Sequence, residues 1–232
     1  MDTQNKYRRI VIKVGSNVLT RDDGRPDTTR ISALVDQVAR LHRAGTEVIL
    51  VSSGAVASGH SILGQRAGKL DSVSARQLFS AVGQVKLLNR YYDLFNEYGI
   101  VCGQVLTTKQ DFETRRHYLN QRNSIRVMLE NGVVPIVNEN DTVAVTELMF
   151  TDNDELSGLL STMIGAEALV LLTNVDGICD GTPGAPGVEV IREIAPGQRD
   201  LPDCIRDAKS SFGRGGMLTK SRIARKVAAE GI

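Results

Sequence analysis

The sequence predicts an α/β protein built on a largely parallel sheet covered on both faces, and three observations carry that prediction. Five short apolar, β-branched runs recur along the chain, each of strand length. Longer segments with apolar residues at helical spacing lie between them, and strand alternating with helix requires right-handed crossovers between parallel strands. The 232 residues are enough to bury a core without disulfide or metal staples.

The elements follow in order. Residues 9–14 (RIVIKV) read as the first strand, and residues 28–44 place Ile31, Leu34, Val35, Val38 and Leu41 on one helical face, with Gly45 closing that helix. A second strand spans 47–51. The long helical segment 72–98 carries Leu78, Phe79, Val82, Val85, Leu88, Tyr91 and Tyr92, a face broad enough for a subunit contact as well as core. Residues 100–106 form the third strand, 116–131 a helix ended by Gly132, 133–137 the fourth strand, 153–165 a helix, and 168–172 the fifth strand. The Gly/Pro-rich stretch 176–187 (DGICDGTPGAPG) is a loop over the sheet edge, and 198–216 is a second irregular connection. A last helix over 216–231 turns Met217, Ile223, Val227 and Ala228 inward.

Composition excludes several classes of function. The 28 Lys+Arg balance 27 Asp+Glu, so no net field holds the chain on nucleic acid or an anionic membrane. The longest apolar runs are far shorter than a membrane span, and the start, MDTQNKYRR, does not lead into a signal sequence. Three widely spaced cysteines, Cys102, Cys179 and Cys204, offer neither a disulfide framework nor a zinc motif, which points to a reducing, cytoplasmic setting.

In open parallel sheets ligands bind at the carboxyl ends of the strands. The first strand runs into Gly15-Ser16-Asn17, the second into Ser52-Ser53-Gly54-Ala55, the fourth into Asn138-Glu139-Asn140-Asp141 and the fifth into Thr173-Asn174. Glycines there let backbone N–H groups approach an anion. Neither the Walker A spacing nor a GxGxxG after a strand is present, so phosphate would bind through Lys13, at the end of a hydrophobic strand, and Lys220, early in the last helix. A lysine inside a sheet needs an anion, and a structural carboxylate is one candidate. The acidic clusters 138–141 and 152–155 read alone as turns, with Asp152 a helix cap. Beside two lysines and two glycine loops they supply the cations and carboxylates of phosphoryl transfer. The histidines, His42, His60 and His117, share no catalytic spacing.

Seven ordered segments, VIKVGS (11–16), VSSGAV (51–56), SAVGQ (80–84), GQVLT (103–107), IVNENDTV (136–143), DND (152–154) and GGMLTK (215–220), resemble the glutamate 5-kinase family of the amino acid kinase superfamily. The resemblance covers essentially the whole chain. It implies a three-layer αβα sandwich, with an amino acid kinase domain over 1–232 that lacks its C-terminal strands and carries no PUA domain. It also implies transfer of the ATP γ-phosphoryl group to the side-chain carboxylate of L-glutamate, the first step of proline synthesis. In the roles it implies, Lys13 and Lys220 stabilise the transferring phosphoryl group and Asp154 holds both lysines, while Gly15 and Gly54 offer backbone donors. Asp141 takes the substrate ammonium, and Ser53 and Asn153 donate to carboxylate oxygens. Thr173, Asn174 and the turn Arg214, Gly215, Gly216, Met217, Leu218, Thr219 and Lys220 hold the nucleotide. Magnesium bridges the ATP phosphates without dedicated protein ligands, proline is a feedback inhibitor, and the assembly is a homodimer or homotetramer.

This sequence departs from the family's usual pattern at Asn174, where an aspartate is common, and at Cys179, where an aromatic is often found. Two other readings stand beside the first. One is a related kinase acting on a nucleoside monophosphate or an N-acylated amino acid. The other is a module that senses glutamate or proline without turnover.

Overall fold

The computed structural model describes residues 6–21, 24–144, 150, 152–181, 185–195 and 216–232. The chain runs β1 (Arg9–Val14), α1 (Ser16–Leu19), α2 (Thr28–Arg43), β2 (Glu47–Ser52), α3 (Ala55–Leu63), a 3-10 turn (Gly64–Ala67) and α4 (Ser72–Glu97). It continues with β3 (Cys102–Thr107), α5 (Gln110–Glu113), α6 (Arg115–Glu130), β4 (Val134–Glu139), α7 (Asn153–Ile164), β5 (Ala168–Leu172) and α8 (Met217–Ala229). The five strands form one sheet in the order β3-β4-β2-β1-β5, with every pairing parallel.

Alternation along the strands sorts the core into two layers. Ile10, Ile12 and Val14 of β1, Val48 and Leu50 of β2, and Val134 and Ile136 of β4 pack with α2 and α4. Val11, Ile49, Val51 and Val137 point the other way, onto α6 and α7. The result is the expected αβα sandwich. It also fixes where Lys13 points, because an odd-numbered residue of β1 faces the α7 layer.

Helix ends follow local chemistry. Asp27 and Asp152 cap α2 and α7 by accepting hydrogen bonds from the backbone N–H groups two and three residues further on, as does Asp71 for α4. Gly45 and Gly132, with φ of 87° and 69°, lie just past the ends of α2 and α6.

The structure departs from the sequence expectations in three places. β4 runs to Glu139, two residues beyond its apolar run, because Asn138 and Glu139 pair in register with Leu106 and Thr107 of β3. They are strand residues, buried although polar. Second, α3 is a nine-residue helix that periodicity does not announce, since its sequence AVASGHSIL has two serines and a central glycine. Its stability is tertiary: α3 and α4 touch backbone to backbone. A Cβ on Gly83 would lie 1.8 Å from the Ala55 carbonyl oxygen, and one on Gly59 would lie 1.8 Å from that of Phe79. Third, the 176–187 stretch is a loop, as expected, but Cys179 forms an isolated antiparallel bridge with Val190. Most of the expected 198–216 connection lies outside the described residues.

Gly158 plays the corresponding part between α7 and α8, where a Cβ would come within 2.8 Å of Ile223. Asp154 meets Lys220 at one end of this contact and Thr162 meets Glu230 at the other, so the two helices run parallel with their N-termini together. Replacing Gly83 by alanine must separate α3 from α4. Gly83→Ala is expected to lose about 3 kcal/mol and to lower the thermal midpoint by about 6–12 °C, read by circular dichroism.

Candidate active site

The carboxyl ends of β1, β2 and β4 and the N-terminal turn of α7 converge on one group of polar side chains. Asp154, in the first turn of α7, is fully buried and is bound by two ammonium groups. Lys13 Nζ lies 2.6 Å from its Oδ1 and Lys220 Nζ lies 2.8 Å from its Oδ2. Burial, the largest influence, pulls Lys13 below its ordinary value; Asp154 pulls it back up, and the Lys220 charge lowers it further. The two ammonium groups lie at the N-termini of α7 and α8, where backbone dipoles also favour an anion, with the Asp152 carboxylate acting on Lys13 as well. The Asp154 carboxylate is structural, and it points the lysines.

Gly15 follows Lys13 directly. Its φ of −78° is open to any residue, and a Cβ there would sit 3.5 Å from Lys13 Nζ, an ordinary contact, so the fold itself does not demand glycine at this position. Gly54 is different. Its φ of 105° places it in the left-handed region, where it turns the chain from β2 into α3. Asp152 caps α7, but its Oδ2 is buried without a partner; burial pushes its pKa up, and the Asp154 charge pushes the same way.

A second group adjoins the first through Asn153, the neighbour of Asp154. The backbone N–H of Glu139 donates to Asn138 Oδ1 at 2.9 Å, which fixes which end of that amide accepts. Asn138 Nδ2 then donates to Gln84 Oε1 at 2.9 Å. Asn153 Nδ2 donates both to Asn138 Oδ1 at 2.9 Å and to Ser53 Oγ at 2.8 Å. Both hydrogens of the Asn153 amide are therefore spent. In this arrangement the atom that Asn153 leaves outside these bonds is Oδ1, an acceptor. Ser53 Oγ, accepting from Asn153, keeps its own hydrogen to donate.

The third group holds Asp141. Arg76, from the second turn of α4, donates from Nε to Asp141 Oδ1 at 2.7 Å and from a terminal nitrogen to Glu139 Oε2 at 3.0 Å. The neighbouring Gln77 donates to the Thr142 carbonyl at 2.9 Å, so α4 grips this turn twice. Glu139 also accepts from the Phe150 N–H at 2.9 Å. Burial, then the Asp141 charge, push Glu139 up to about 7, against the pull of the Phe150 N–H and the Arg76 guanidinium.

The expected nucleotide residues lie at the β1–β5 side. Thr173 and Asn174 follow β5, which pairs with β1 such that Lys13 faces Leu171. Thr173 is half-buried and Asn174 exposed. Gly216 precedes α8, whose first turn holds Met217, Leu218, Thr219 and Lys220. Arg214 and Gly215 lie outside the described residues. His42, bonded to the Gly132 carbonyl at 3.0 Å, lies by the opposite ends of the strands. Sequence reasoning missed Arg76, Gln84 and Asn138. The available signal for Arg76 was the NEND segment itself, since two buried carboxylates so close require a cation.

Two ammonium groups gathered on one buried carboxylate at the carboxyl ends of parallel strands form a site suited to an anion. Residues 8–232 match the amino acid kinase family, and the chain belongs to that family. Among its relatives it is 65% identical over 229 residues to the glutamate 5-kinase of Bacteroides thetaiotaomicron, covering 99% of this chain and 63% of that protein. It is 50% identical over 226 residues to the glutamate 5-kinase of Chlorobaculum tepidum, covering 97% and 62%, and 42% identical over 238 residues to glutamate 5-kinase 2 of Bacillus subtilis, covering 100% and 62%. The chain spans a little under two thirds of the length of these relatives.

Because Glu139 binds its proton more tightly folded than unfolded, it favours the fold fully below its ordinary value of 4.5 and loses that contribution as pH rises to about 7. The loss is at most about 3 kcal/mol. Urea midpoints measured at pH 5 and pH 8 are expected to fall less in Glu139→Gln than in the unaltered protein.

Proposed function

We propose that this chain is the catalytic domain of a glutamate 5-kinase, transferring the γ-phosphoryl group of magnesium-ATP to the side-chain carboxylate of L-glutamate to give L-glutamyl 5-phosphate, the first step of proline biosynthesis. The observation that carries this reading is Asp154 with Lys13 and Lys220 on its two oxygens, one residue from Asn153 and its bond to Ser53.

The acceptor is already ionised at neutral pH, so the reaction needs no general base, in keeping with the absence of a histidine from the groups described. A glutamate oxygen attacks the γ-phosphorus as the bond to ADP breaks. Lys13 and Lys220 stabilise charge on the transferring phosphoryl oxygens, with Gly15 and Gly54 keeping backbone close to them. Magnesium enters as part of the nucleotide substrate and neutralises its phosphates. Asp141 and Asn153 Oδ1 accept from the α-ammonium, and Ser53 donates to the α-carboxylate. Thr173, Asn174 and residues 214–220 hold the nucleotide.

Proline, which shares the ammonium and α-carboxylate but lacks the acceptor carboxylate, fits the same head-group site as a feedback inhibitor. A homo-oligomer is supported by α4, which leaves Val85 62% and Tyr92 56% exposed on its outer face. Use of ATP and of cysteines outside any disulfide among the described residues accords with a cytoplasmic setting. Among those residues no helix is long and apolar enough to cross a membrane.

Incubation with magnesium-ATP, glutamate and hydroxylamine is expected to give glutamate-dependent hydroxamate. ADP formed only with UMP or N-acetylglutamate would reassign the acceptor, and glutamate binding without ADP would make the chain a sensor. Lys220→Ala is expected to lower kcat by about 2 to 4 kcal/mol of transition-state stabilisation while leaving ATP affinity nearly unchanged. An unaltered kcat would remove Lys220 from the mechanism.

A further inference from the structure

We infer that Arg76 is a positioning residue for the ammonium group of the amino-acid substrate: from a fixed helix it orients Asp141 through one oxygen. The inference rests on the proposed glutamate site and adds a residue on α4 to it.

Asp141 and Glu139 sit two residues apart at the end of β4, both nearly buried, with side chains 7% and 5% exposed. Two carboxylates this close and this dry repel each other, and a cation beside them offsets part of that repulsion. Arg76 is that cation, and its fork reaches both: Nε at 2.7 Å from Asp141 Oδ1 and a terminal nitrogen at 3.0 Å from Glu139 Oε2. Both contacts to Asp141 are made to Oδ1. Neither uses Oδ2, so the guanidinium fixes the direction of the Asp141 carboxylate through one oxygen while Glu139, which holds its proton more tightly than an ordinary carboxyl, lies beside it.

The guanidinium is itself well placed. Gln77, next to it on α4, bonds the Thr142 carbonyl at 2.9 Å, and Gly83 two turns further on locks α4 to α3 by backbone contact. Arg76 therefore reaches Asp141 from a fixed helix rather than from a loop. It acts on the substrate through the acidic pair, chiefly through Asp141.

The test is calorimetric binding of L-glutamate and of glutarate, the same dicarboxylate without the ammonium, to the intact chain, with glutamate turnover measured alongside. Arg76→Met is expected to weaken glutamate binding about tenfold or more and to change glutarate binding by less than about twofold. The KM for glutamate rises in step with this loss, while kcat at saturating glutamate and the KM for ATP stay near their original values. Arg76→Lys restores most of the glutamate affinity. In Arg76→Met with Glu139→Gln, no uncompensated pair remains to unfold the site, and the selective loss of glutamate over glutarate persists. Equal losses for glutamate and glutarate, or unchanged glutamate binding in both Met variants, would overturn the inference. Tight glutamate binding that depends on Arg76 but supports no phosphoryl transfer would overturn the proposed reaction and leave the inference standing.

Discussion

Asp154 makes no contact with water, and Lys13 and Lys220 hold its two oxygens. Three ionised groups in a dry sheet edge are costly one at a time and tolerable only together, so the arrangement constrains everything around it. β1 must present an odd-numbered position to the α7 layer, α7 must begin at Asn153, and α8 must approach α7 closely enough for Lys220 to arrive. Gly158 permits that approach by leaving room for Ile223. Stability alone does not ask for this triad, since apolar side chains could fill the same volume. Two ammonium groups held side by side at two helix N-termini are what the arrangement provides.

The head-group site obeys a different rule, that of hydrogen-bond direction. A single backbone N–H, that of Glu139, decides the orientation of Asn138, which decides that of Asn153, which leaves Ser53 as the donor. The chain of bonds sorts one acceptor from one donor a few ångströms apart. An amino acid presents the complementary pair, an ammonium and a carboxylate on one carbon. Buried amide networks of this kind discriminate strongly, because a wrong ligand leaves a polar group unmatched.

Much of this was legible before any coordinates. The five strands lie where β-branched runs predicted them, and Lys13, Lys220 and Asp154 meet as the family resemblance implied. What escaped was of two kinds. α3 has neither periodicity nor helix-forming composition, because its glycine serves contact with α4 rather than the helix itself. Arg76 and Gln84 escaped because they lie on a helix more than 50 residues from their partners, and nothing in local spacing marks which exposed-looking polar residue of an amphipathic helix turns toward a strand end. The direction of the Asn153 bonds was not legible either, since residue type says an amide can donate and only the network says where its donors go.

The separation of the two lysines has a further consequence. They lie 207 positions apart, and their meeting on Asp154 closes nearly the whole chain into one circuit. No fragment lacking either end of that circuit has the anion site, so anion affinity is a property of the assembled fold and not of any local motif. By linkage, a nucleotide that engages both lysines stabilises the native state against global unfolding and leaves fraying of single elements largely untouched. Occupancy of the site and integrity of the polypeptide thus report on each other.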